Sequence, residues 1–196
     1  YTQPGLQADA LVYLKLGAPC GGAAIVNGRL IRGAGGTGNE FGHIRIRETG
    51  PRCSCGQQGC LESFVNMAAL DRSYRLGQGF GVDSLSALPA MVAAAAQAGD
   101  RSAAAAMDDL AGHLVIGLIS LANIFNPSTI VLGGAMRPVL AARLDRLSQA
   151  VGAGIVPGMT PPQIRLSTLG EMECAIGAAT IAHHQAFDVS NIEIPN

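Results

Sequence analysis

The chain has 196 residues, with 13 Lys plus Arg against 14 Asp plus Glu, for a formal net charge of −1. Apolar residues make up 48% and charged residues 14%, so the chain can bury a core; wholesale disorder is excluded, and the length fits one domain or two small ones. The near-neutral balance, without a basic run, argues against a nucleic-acid-binding surface in these residues.

Residues 10–16 place Val12, Leu14 and Leu16 on one face and Leu11, Tyr13 and Lys15 on the other, which predicts a strand. A glycine-rich turn over 17–22 leads to a second apolar run, 23–26, and Asn27-Gly28 is a two-residue hairpin signal before a return strand over 29–32. The opening reads as a three-stranded antiparallel meander. From 33 to 59 the sequence is rich in Gly and Cys and poor in large apolar residues, and it reads as irregular structure. Helices are expected over 61–76, over 88–98 (Pro89 at its start, Gly99 closing it) and over 101–125. In the last of these, Leu110, Leu114, Leu118, Leu121 and Phe125 recur at helical spacing, and Ile116, Ile119 and Ile124 widen the apolar surface, which implies burial on several sides. A short strand at 129–132 ends at Gly133-Gly134. A helix follows over 138–150, then a strand over 163–166 and a closing helix over 173–184. Strands followed by alternating strands and helices predict an α/β chain with a mixed sheet and flanking helices.

The most apolar stretch, 110–125, is shorter than the roughly 20 residues that span a bilayer. Asp108 and Asp109 precede it, and residues 1–9 are polar and unlike a signal peptide. A buried core helix in a cytoplasmic protein, with no membrane partner, is the expectation.

Three of the five cysteines, Cys53, Cys55 and Cys60, fall within eight positions, and His43 precedes them by ten. Three thiols and an imidazole match the Cys3His donor set of a closed zinc site, and Gly42, Gly50, Gly56 and Gly59 allow the tight backbone it needs. The segment lacks a core of its own, so a metal would supply folding energy. With all four ligands from protein, the expected Zn2+ is structural. Cys174 reads as a small core residue; Cys20, in the glycine turn, has no assigned role.

The run Glu40-Phe41-Gly42-His43, followed by Cys53-Ser54-Cys55-Gly56-Gln57-Gln58-Gly59-Cys60-Leu61-Glu62, resembles the signature of the ROK family of bacterial repressors, open reading frames and sugar kinases. Asn126-Pro127-Ser128-Thr129-Ile130-Val131-Leu132-Gly133-Gly134 resembles the family's second motif. The resemblance implies one actin-like, ribonuclease-H-like lobe over 1–196, with a zinc and sugar insert at 33–62 and a closing helix, 173–185, that packs toward a first lobe outside these residues. It also implies that Glu40, His43 and Glu62 contact sugar hydroxyls. One nitrogen of His43 would hold zinc while the other donates to the ligand.

Two departures bear on function. The family's kinases carry an Asn-Asp pair and an Asp-x-Gly-x-Thr phosphate motif upstream of the first strand, and neither occurs in these residues. Their glycine turn resembles Gly-Thr-Gly-x-Gly-Gly, whereas here it is Gly17-Ala18-Pro19-Cys20-Gly21-Gly22. Ala18 has no hydroxyl and Pro19 no N–H, so the turn suits a phosphate poorly. Gly133 and Gly134 are the remaining candidates for nucleotide contact. The expected function is therefore the sugar-sensing lobe of a transcriptional regulator, without a catalytic residue. DNA would be bound only through a further N-terminal domain, and low surface charge favours a homodimer. The alternative is the C-terminal lobe of an ATP-dependent sugar kinase.

Overall fold

The computed structural model describes residues 10–75 and 85–187. Five strands form one mixed sheet: β1 (Ala10–Lys15), β2 (Gly21–Val26), β3 (Arg29–Leu30), β4 (Thr129–Gly133) and β5 (Gln163–Leu166), in the order β3-β2-β1-β4-β5. β1 pairs antiparallel with β2, from Ala10 opposite Val26 to Lys15 opposite Gly21, and β2 antiparallel with β3. β4 lies parallel to both β1 and β5. The expected meander is therefore present, and the later strands add to its β1 edge. Asn27 (φ 51°) and Gly28 (φ 70°) both sit in the left-handed region, as a primed hairpin turn requires.

Seven helices accompany the sheet in the described residues: α1 (Glu62–Val65), α2 (Met67–Arg75), α3 (Leu88–Gln97), α4 (Arg101–Phe125), α5 (Arg137–Ala141), α6 (Leu144–Gly154) and α7 (Glu173–Phe187). Short 3-10 turns occupy Phe41–His43 and Gly170–Met172. One cluster joins Val12, Leu14, Ala24, Ile130 and Leu132 of the sheet to Leu110, Leu114, Leu118 and Leu121 of α4. Leu11, Ile25 and Val131 form a smaller cluster with Tyr13, from the opposite parity of the strands. β4 is buried at all five positions, as an inner strand bearing helices must be.

α4 is the spine of this core. Asp100 caps its start, its carboxylate accepting from the N–H groups of Ser102 (2.8 Å) and Ala103 (3.1 Å), and Asn126 ends it in the left-handed region. By length and composition the helix could cross a membrane, but its leucine stripe is in the core and Asp108 pairs with Arg143 and Arg146 of the 143–146 segment.

The structure corrects several expectations. β3 stops at Leu30, and residues 31–38 are exposed loop. The helix expected over 61–76 breaks at Asn66, whose extended backbone interrupts it and whose Oδ1 accepts from Ala69 N–H at 2.8 Å to start α2; position 76 lies outside the described residues. The helix expected over 138–150 is two, separated where Arg143 leaves helical geometry and donates to Asp108 at 2.7 Å. Ile116 and Ile124 are exposed rather than buried, because α4 packs against the rest of the chain along its leucine side. Cys174 is also exposed, on the first turn of α7.

Candidate metal and sugar site

Residues 33–59 hold little regular structure: one 3-10 turn at Phe41–His43 and isolated antiparallel bridges, Arg45 with Cys60 and Arg52 with Gln58. Backbone bonds within the loop bring the cysteines together. Cys53 N–H donates to Gln57 C=O (2.8 Å), Gly56 N–H to Cys53 C=O (2.9 Å), and Ile46 N–H to Gly59 C=O (2.9 Å). Gly59 has φ 79°, and a Cβ there would run into the Arg47 carbonyl; a residue other than glycine would push Cys60 out of place.

The ligand atoms of His43, Cys53, Cys55 and Cys60 all lie within 4.8 Å of one another. Cys53 Sγ is 3.4 Å from His43 Nδ1, and Cys55 Sγ is 3.7 Å from Cys60 Sγ. A zinc tetrahedron with bonds of about 2.3 Å to sulfur and about 2.05 Å to nitrogen has edges of about 3.8 Å between sulfurs and about 3.6 Å between sulfur and nitrogen. The donor set fits, and these two separations match such edges within a cluster that spans 4.8 Å. No disulfide joins the thiols. A hydrogen bond from the Gln57 backbone holds the Cys55 thiol below its ordinary range, whereas burial, then its neighbours Cys55 and Cys53, push Cys60 up to about 12. Crowded thiols resist joint ionisation without a cation between them.

His43 turns Nδ1 toward Cys53 and leaves Nε2 3.7 Å from Glu40 Oε2. The Glu40 side chain is 67% exposed. Glu62, the first residue of α1, differs: it is 5% exposed, and both its oxygens are engaged. Oε2 accepts from the Cys20 N–H of the glycine turn at 2.8 Å, and Oε1 accepts from the Ser54 hydroxyl of the cysteine loop at 2.9 Å. Gly42 lies against Cys20 and Glu62, so the 40–43 turn, the glycine turn and α1 meet at one place. Ser54 and the Cys20 N–H are partners of Glu62 that the sequence does not announce. A serine between two cysteines carries no signal of its own, and a backbone donor carries none at all.

The glycine turn offers little to an anion. Pro19 has no N–H, the Cys20 N–H is committed to a carboxylate, and the Cys20 thiol is buried, donating to Gly17 C=O at 3.7 Å. Burial pushes that thiol up to about 11. The neighbouring turn, Gly133-Gly134, is also filled. The space beside Gly133 holds Tyr13 Oη and Glu173 Oε2, and Gly134 (φ 89°) presses on the Leu16 carbonyl. Glu173 is 7% exposed, and its Oε2 shares this buried space with Tyr13 Oη, neither atom making a well-aligned hydrogen bond. Burial, reinforced by Glu173, raises the Tyr13 phenol well above its ordinary range.

The family model described as the ROK family matches residues 1–185. The chain is 31% identical over 183 residues to a glucokinase of Thermotoga maritima, covering 88% of this chain and 58% of that protein. It is 35% identical over 133 residues to a xylose repressor of Caldicellulosiruptor bescii, covering 63% of this chain and 33% of the repressor. A ROK glucokinase of Streptomyces griseus, solved with glucose and AMPPNP, superimposes with a TM-score of 0.75 at 28% identity, covering 92% of this chain and 62% of that one. The chain thus spans under two thirds of the length of these relatives.

Proposed function

The chain belongs to the ROK family, and from that premise we propose that it is the sugar-sensing C-terminal lobe of a ROK transcriptional regulator. The whole described chain is then one actin-like lobe, with the 33–62 insert carrying the ligand and metal groups. Glu40 and Glu62 accept hydrogen bonds from the hydroxyls of a hexose or hexose derivative, and His43 donates through Nε2. A carboxylate offers about four acceptor positions; Cys20 and Ser54 fill two of those on Glu62, and the Cys53 thiol approaches a third at 3.8 Å. His43, Cys53, Cys55 and Cys60 hold a structural Zn2+, which fixes the imidazole tautomer and the aim of its ring. α7 packs toward a first lobe, and sugar closes the cleft between lobes. That shift in population alters DNA affinity at a separate N-terminal domain. The protein works as a cytoplasmic homodimer.

The observation that carries this reading over phosphoryl transfer is the Cys20 N–H on Glu62. A turn that has lost one donor to proline and another to a buried carboxylate repels a phosphate rather than cradling it. The kinase reading draws support from the likeness to the Thermotoga maritima glucokinase over 88% of this chain. A band-shift assay with the full-length protein and its own upstream region tests the proposal. A hexose that releases or strengthens the DNA complex is the expected result; hexose-dependent ADP release without DNA binding would replace it with the kinase.

A further inference from the structure

We infer that Ser54 is a positioning residue for the sugar, through which the metal loop sets the aim of Glu62. This rests on the sugar role proposed for Glu62. Ser54 lies between two thiol donors of the metal cluster, on the loop that those donors fold, yet it offers no ligand itself. Its side chain is exposed, and its hydroxyl donates to Glu62 Oε1 at 2.9 Å. On the other side, Glu62 Oε2 is held by the Cys20 N–H at 2.8 Å. The carboxylate is therefore clamped between the glycine turn and the cysteine loop. One hold is a backbone donor on the sheet side; the other is a side-chain donor whose place depends on Cys53 and Cys55. With both oxygens held, the carboxylate plane cannot turn, and its remaining lone pairs keep one direction toward a hydroxyl. The Cys53 thiol also donates to Oε1, at 3.8 Å, but as a thiolate on a metal it has no proton to give, so in the zinc-loaded protein release of the Ser54 end leaves Glu62 free to rotate about the Cys20 bond. Metal loss thus weakens sugar binding along two routes, through the aim of His43 and through Ser54.

The test uses the natural full-length protein, zinc-loaded, with a hexose panel in calorimetric titration, alongside metal content and melting temperature. Loss of the bond that aims the carboxylate, counted as one ordinary net hydrogen bond, lowers affinity roughly three- to tenfold. Ser54→Ala is expected to weaken the best hexose by that factor with zinc content and melting temperature unchanged. Ser54→Thr, which keeps a hydroxyl, is expected to restore affinity. In a Glu62→Gln background, Ser54→Ala is expected to add less than twofold, because the group it positions has already changed. Wild-type affinity in Ser54→Ala, or a loss that appears only together with lost zinc, overturns the positioning role while leaving the sugar site standing. A wild-type protein that binds none of the hexoses overturns the sugar reading and this inference with it.

Discussion

Glu62 is a buried carboxylate at the meeting point of three segments, and replacing it separates a structural acceptor from a charge. Glu62→Ala removes both acceptor oxygens. The Cys20 N–H belongs to a residue only 6% exposed, so it is left without a partner and without ready access to water. An orphaned buried donor costs about 1–3 kcal/mol. The Ser54 hydroxyl, on an exposed residue, turns to solvent and adds little. For a chain of this size each kcal/mol moves the melting temperature by about 2–4 °C, so a fall of about 2–12 °C is expected. Glu62→Gln keeps an oxygen for Cys20 and offers its NH2 to the Ser54 oxygen, and it is expected to cost less than about 1 kcal/mol. Calorimetric melting in zinc-replete buffer reads both. An alanine variant within a degree of wild type, or a glutamine variant falling as far as alanine, would show that Glu62 does not hold the Cys20 N–H.

Metal analysis is expected to find one zinc per chain, and Cys55→Ala to lose it while Cys20→Ser keeps it, since Cys20 bonds only to Gly17 C=O through its sulfur. A zinc bound at a thousandfold over its dissociation constant adds about 4 kcal/mol, so chelation should lower the melting temperature by roughly 8–16 °C; no change would remove the metal from the account. Tyr13→Phe deletes a buried hydroxyl that makes no well-aligned hydrogen bond and is expected to stabilise by about 1 kcal/mol in urea unfolding at neutral pH. The folded phenol holds its proton above the ordinary value near 10, so its contribution is intact below about pH 10 and lost as pH rises further. The Phe variant should lack that component of alkaline destabilisation, and identical pH profiles would count against the burial of this phenol.

The Cys3His cluster was legible because its members are close in sequence and chemically distinctive: His43, Cys53, Cys55 and Cys60 converge as their spacing implied. The hairpin at Asn27-Gly28 and the leucine stripe of α4 were legible for similar reasons, since local turn chemistry and 3.6-residue periodicity act within one segment. What the sequence hid depends on partners far along the chain. The break at Asn66 comes from a side chain competing with the helix it interrupts, and the break at Arg143 accompanies an ion pair 35 residues away. Apolar residues on α4 gave no sign that Ile116 and Ile124 face outward, because periodicity marks a stripe but not how many neighbours cover it. Glu62 was recognised by its motif, but its grip on Cys20, 42 residues away, and the closure of Gly133 by Tyr13 and Glu173 are tertiary facts with no local pattern.

On the function proposed above, this lobe takes a sugar and refuses a nucleotide phosphate. Calorimetric titration of the zinc-loaded full-length protein, first with hexoses and then with ATP and Mg2+ added to the hexose complex, tests it most directly. Saturable hexose binding followed by no heat from ATP is the expected result. Saturable ATP binding to that complex, accompanied by ADP and a phosphorylated sugar, would contradict it.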